Sequence, residues 1–168
     1  MTLLRQPRIA FGLAALACAL LLGYGYFLQH VQGLQPCPFC LVQRGFYYGV
    51  LAACLVAALH APGRRGQVAY GVIAGLFAMG GIAAAGRQVW LQHLPPDKVP
   101  QCGPDLFFML ENLPLATTLQ KLVFGTGECA VVDWTFLGLS IAEWSLVWFV
   151  ALLLYAAWLC VSARTSST

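Results

Sequence analysis

Four long apolar runs set the pattern of the chain: roughly Ile9–Leu28, Leu41–Leu59, Val68–Leu91 and Trp144–Val161. Each is close to the roughly 20 residues that an α-helix needs to cross about 30 Å of hydrocarbon. The pattern predicts an all-α membrane protein, a four-transmembrane-helix bundle in a single domain over residues 1–168. A short turn over 29–40 and a long loop over 92–143 lie outside the bilayer. Arg5 and Arg8 ahead of the first run suggest a signal peptide, and Ala15-Leu16-Ala17-Cys18 resembles a poor lipoprotein cleavage site. The apolar stretch continues to Phe27, too long for a cleaved h-region, so a retained span is expected.

Within the runs the pattern is uneven. The first ends in Gly23-Tyr24-Gly25-Tyr26-Phe27, an interfacial aromatic girdle. The third is rich in small residues, among them Gly71, Gly75, Gly80, Gly81 and Ala83–Ala85, which let helices approach closely in lipid. The same smooth face is also a candidate bed for a flat ligand ring. In the long outer loop, Leu106–Leu110 and Leu119–Phe124 predict two short amphipathic segments. Trp134 to Trp144 reads as a segment lying on the outer membrane surface.

Composition agrees: 60% of residues are hydrophobic and only 9% charged, which excludes an ordinary soluble domain. The basic residues are scattered, so nothing points to nucleic acid. The N-terminus carries Arg5 and Arg8, the 60–67 connection Arg64 and Arg65, and the C-terminus Arg164, while all six carboxylates lie between the third and fourth runs. By the positive-inside rule both termini are cytoplasmic, and the 29–40 turn and 92–143 loop face out.

Seven cysteines divide along the same lines. Cys18, Cys54 and Cys160 sit at membrane depth as small hydrophobes. Cys37, Cys40, Cys102 and Cys129 fall on the outer side, where four exposed cysteines are expected to pair, with three pairings open. A bridge within Cys37-Pro38-Phe39-Cys40 constrains little of the unfolded chain, so redox activity explains it better than stability. Cys40 falls at the first turn of a helix, where free backbone N–H groups favour a thiolate. Arg44 lies one turn deeper, about 6 Å along the axis. It is placed to stabilise both that thiolate and a partly reduced quinone. A zinc site built from all four sulfurs is disfavoured by the wide Cys102…Cys129 spacing. With no haem, flavin or iron–sulfur motif, a lipid-soluble quinone is the electron acceptor that suits this depth.

The string Pro36-Cys37-X-X-Cys40-X-X-X-Arg44, the later Cys102 and Cys129, and Trp134-X-Phe136-Leu137-Gly138-Leu139 before a fourth helix resemble the disulfide bond formation protein B (DsbB) family over nearly the whole chain. The DsbA–DsbB–quinone relay is the established means by which the bacterial periplasm is kept oxidising. The resemblance implies a protein-disulfide oxidoreductase in the bacterial inner membrane that reoxidises a DsbA-like periplasmic thiol oxidase. By the family pattern, Cys102 receives the attack of reduced DsbA. Cys129 passes electrons to Cys37–Cys40, and Cys40 faces ubiquinone, or menaquinone, with Arg44 alongside. A polar residue near the outer end of the third helix is also implied, for which this chain offers Arg87 or Gln88, with Gln92 and His93 as weaker candidates. DsbA is an oxidant near about −120 mV, whereas ordinary structural disulfides lie below about −300 mV, some 8 kcal/mol too reducing to serve it. The bridges here are therefore expected to be unusually oxidising and drained by quinone. The competing reading is a disulfide-stapled scaffold that binds a periplasmic partner. The vitamin K epoxide reductase-like family is a poorer match, because its loop cysteines precede the Cys-X-X-Cys pair.

Overall fold

The computed structural model describes residues 6–99, 108, 111–114, 117 and 127–165. Four long helices carry the fold: α1 (Pro7–Val31), α2 (Pro38–His60), α3 (Arg64–Gln92) and α4 (Ile141–Thr165). All four are long and apolar enough to cross a membrane. Each outruns its apolar stretch by a few residues, because a helix continues into the interfacial layer after hydrophobicity has stopped. Proline opens α1 and α2, where its missing N–H costs nothing and its fixed φ suits the first turn. The tight connection after α2 turns on Ala61 in the left-handed region (φ 44°), whose N–H caps Ala57 O.

Helix α3 is the spine, packing against α4 on one side and α2 on the other, with α1 laid against α2. Much of the interior is built from small side chains, with a few large ones such as Phe11, Val50 and Phe149 among them. Ala14, Ala57, Ala74, Ala78 and Ala85 are buried, while Leu16, Leu20, Leu59, Leu76 and Leu154 point outward. Small residues at many helix contacts, with leucines turned outward, is the arrangement expected where lipid, not water, is the solvent and close packing drives association. A Cβ at Gly80 would run into the Phe46 ring, and one at Gly81 into the fully buried Phe149 ring. The smooth face of α3 is thus occupied by aromatic side chains of α2 and α4, and at these positions it is no bed for a ligand. Phe149 in turn stacks on Tyr47 with centroids 4.0 Å apart. Tyr47 Oη lies 3.2 Å from Ser145 Oγ, joining α2 to α4.

Among the described residues, the outer connection holds two one-turn 3-10 helices, Pro96–Lys98 and Gly127–Ala130, and a small antiparallel hairpin, β1 (Thr135–Phe136) and β2 (Leu139–Ser140). The expected surface segment over Trp134–Trp144 therefore contains a two-residue turn. Leu137 and Gly138 both have positive φ (52° and 80°), as a turn matched to strand twist requires. Ser140 then caps α4: its Oγ accepts from the Glu143 N–H, and Glu143 Oε2 accepts from the Ser140 N–H. This reciprocal capping box starts α4 at Ile141, three residues before the apolar run alone places it. Ser140 Oγ also donates to Gln92 Oε1 at 2.8 Å, tying the outer ends of α3 and α4 together. The two expected amphipathic segments lie outside the described residues, apart from Phe108, and so does Cys102.

Candidate functional site

Cys37 is the N-cap residue of α2 and Cys40 its third helical residue. The Leu41 N–H bonds back to Cys37 O, closing the first turn. That turn brings the sulfurs together, with the Cys37 thiol donating to Cys40 Sγ at 3.1 Å. Cys129 arrives from the other side. The 3-10 turn Gly127–Ala130 packs on α3, and Cys129 is completely buried in a small cluster with Phe39, Ala84 and Leu91 against which Cys37 also packs. Hydrogen bonding to Cys129 and to Cys40, together with burial, pushes the Cys37 thiol well above the ordinary cysteine range. Cys37 thus sits between Cys40 and Cys129.

The polar group against the pair comes from α3. Gln88 Nε2 donates to Cys37 Sγ at 3.3 Å and to Cys40 Sγ at 3.5 Å. Its Oε1 accepts from Gln43 Nε2 at 2.6 Å and lies 3.9 Å from Cys40 Sγ. Both glutamines are buried, at 3% and 4% exposure. An amide sunk this deep between membrane helices is costly unless partnered, and here each finds one.

These groups form one wall of a cavity of about 570 Å³, a size suited to a small organic ligand. Leu22, Leu28 and Trp148 give it apolar walls; Gln29, Arg44 and Gln92 supply polar points, and Trp134 and Phe136 of the hairpin region close the outer side. Arg44 faces this cavity, but its hydrogen bonds run to α1: Nη1 donates to Gln29 Oε1 at 2.6 Å and Nη2 to Gly25 O at 3.0 Å. Its guanidinium also lies 4.7 Å from the centre of the Tyr26 ring. The donors on Cys40 are therefore Cys37 and Gln88, where the sequence led us to expect Arg44. Packing of α1 on α2 explains the difference, since it puts a carbonyl and an amide within reach of the guanidinium.

Of the two third-helix candidates, Gln88 lines the cavity and touches the sulfurs. Arg87 is not among the lining residues; its guanidinium stacks over Trp90 at 4.1 Å. Gln92 lines the cavity, and His93 is exposed, 3.9 Å from Glu143. Gln43 escaped the sequence reading altogether. Its signal was present: a glutamine three residues after Cys40, within a membrane-spanning run, lies on the same helix face and needs a buried partner.

A model of one family, disulfide bond formation protein DsbB, matches residues 7–159. The chain is 45% identical over 155 residues to disulfide bond formation protein B of Stutzerimonas stutzeri, spanning 92% of this chain and 95% of that one. It is 47% identical to disulfide bond formation protein B 1 of Pseudomonas aeruginosa (89% and 92% covered). The corresponding protein of Aromatoleum aromaticum is 50% identical (83% of each).

Proposed function

We propose, on the premise that this chain belongs to the DsbB family and is a multi-pass membrane thiol oxidoreductase, that it reoxidises a DsbA-like periplasmic dithiol and delivers the electrons to ubiquinone. In this reading it lies in the bacterial inner membrane with both termini in the cytoplasm. The observation that carries the reading is the chain of sulfurs leading to the cavity: Cys129 buried beside Cys37, and Cys37 hydrogen-bonded to Cys40, with Cys37 and Cys40 on the cavity wall.

The chemistry runs as two thiol–disulfide exchanges followed by a two-electron oxidation. A thiolate of the reduced partner attacks the Cys102–Cys129 bridge at Cys102, and its second thiol releases the oxidised partner, leaving two thiols here. The Cys129 sulfur then attacks the Cys37–Cys40 bridge at Cys37, the sulfur it touches. Cys40 leaves with the electron pair, and Cys102 closes back onto Cys129 to free Cys37. Re-forming the Cys37–Cys40 bridge then releases two electrons and two protons. Gln88 N–H faces the departing sulfur and steadies charge gathering there.

The cavity suits a quinone in size and chemistry, with apolar walls for a ring and a guanidinium for its oxygen. Bound there, ubiquinone supplies a sink for two electrons and two protons. Arg44 retains N–H groups beyond the two used on α1 and is oriented by them, which suits it to hold an acceptor oxygen. A disulfide-stapled scaffold explains neither the cavity nor the buried amides aimed at sulfur. Cys40→Ser is expected to abolish ubiquinone reduction by reduced DsbA-type protein in purified membranes. Undiminished turnover would remove Cys40 from the electron path.

A further inference from the structure

Gln88 brings its Nε2 closer to the sulfurs (3.3 Å to Cys37 Sγ and 3.5 Å to Cys40 Sγ) than its Oε1, which lies 3.9 Å from Cys40 Sγ, and another residue controls which end is nearer. A glutamine amide can present either its N–H group or its oxygen to a neighbour, and the two orientations fill almost the same space. Toward a sulfur they have opposite effects: N–H stabilises electron density gathered on it, whereas the oxygen opposes it. Gln88 Oε1 is engaged by Gln43 Nε2 at 2.6 Å, so Nε2 is the end left for Cys37 and Cys40. Both amides are buried, at 4% and 3% exposure, so few other partners compete for them.

We infer that Gln43 is a positioning residue that acts through Gln88, fixing the direction of that amide so that the Cys37–Cys40 pair is held toward its dithiol form. Reduced sulfurs accept hydrogen bonds better than a disulfide does. A donor locked onto both therefore favours reduction and makes the pair a stronger oxidant. The balanced reaction is Cys37–Cys40 disulfide plus two glutathione thiols giving the dithiol and glutathione disulfide. Gln43 and Gln88 gain and lose nothing covalently. Two neutral amides thus tune the pair, and Arg44, turned toward α1, is left to the cavity. The inference takes its purpose from the proposed oxidase activity, but its measurement needs neither quinone nor partner protein.

The full-length protein, purified in detergent from a quinone-deficient host, is equilibrated with glutathione buffers near neutral pH. After acid quenching and alkylation, mass spectrometry scores the Cys37–Cys40 peptide as dithiol or disulfide. Gln88→Met is expected to move the equilibrium about tenfold toward the disulfide, the scale of a hydrogen bond to a charged or charge-gathering group. For Gln43→Met, which frees the amide to turn without removing it, the expected shift is about threefold in the same direction. The decisive comparison is the double variant, expected to match Gln88→Met alone, because Gln43 has nothing left to orient. Gln43→Ala, which cannot overpack, gives the same reading should the Met variant fold poorly. An unaltered equilibrium in Gln88→Met overturns the inference. So does a Gln43 shift that persists undiminished without Gln88. Full quinone reduction by Cys40→Ser would instead strike the electron path and leave this equilibrium untouched.

Discussion

Arg44 separates what a residue string reveals from what it conceals. Its spacing from Cys40 marked it as part of the site, and it does face the cavity that Cys40 lines. Its partners were illegible, since Gly25 O and Gln29 Oε1 belong to another helix and enter only through packing. The same holds for Gln43 and Gln88, which are 45 positions apart in sequence and 2.6 Å apart in space. The geometry separates the duties of these side chains. Arg44→Met is expected to raise the KM for quinone about tenfold, in line with loss of a charged hydrogen bond. The glutathione equilibrium of Cys37–Cys40 should stay near the wild-type value, because no hydrogen bond joins Arg44 to either sulfur. Steady-state kinetics paired with alkylation mass spectrometry checks both halves, and an unchanged KM would exclude Arg44 from acceptor binding.

At the scale of elements, the four helices were legible because a membrane span writes itself as a long apolar run, and nothing shorter competes with it. Their ends were less so. The start of α4 is set by the Ser140–Glu143 capping box, a polar device that hydrophobicity does not register. The hairpin over 135–140 has only two paired residues per strand, too few for any alternation to show. The small residues of α3 carried two readings, and the Phe46 and Phe149 rings decide for close packing at Gly80 and Gly81. Gly81→Ala is accordingly expected to cost about 1–3 kcal/mol by overpacking against Phe149. Gly86→Ala, whose Cβ would meet nothing within 4 Å, should be neutral or stabilise by up to about 1 kcal/mol. Thermal unfolding in detergent followed by circular dichroism distinguishes them, and equal melting points would contradict the packing described for α3.

For the molecule as a whole, charge asymmetry predicts the orientation, and the fold keeps those charges together. Arg64 Nη2 donates to Arg164 O, so the start of α3 and the end of α4 share one end of the bundle. The His93–Glu143 contact lies at the other, where α3 ends and α4 begins. A cysteine introduced at Gly63 is expected to react with a membrane-impermeant maleimide only in inverted vesicles, and one at Lys98 only in spheroplasts. The reverse labelling would turn the protein over. The resemblance implied that Cys129 serves the Cys37–Cys40 pair, but its closeness to Cys37 in particular depends on the Gly127–Ala130 turn packing on α3. That closeness carries a consequence for throughput. A sulfur has room for one covalent partner, so with Cys37 flanked by Cys40 and Cys129, engagement on one side must release the other. Such a junction behaves as a turnstile, admitting electron pairs one at a time and keeping the soluble side from being bonded to the membrane side through two sulfurs at once.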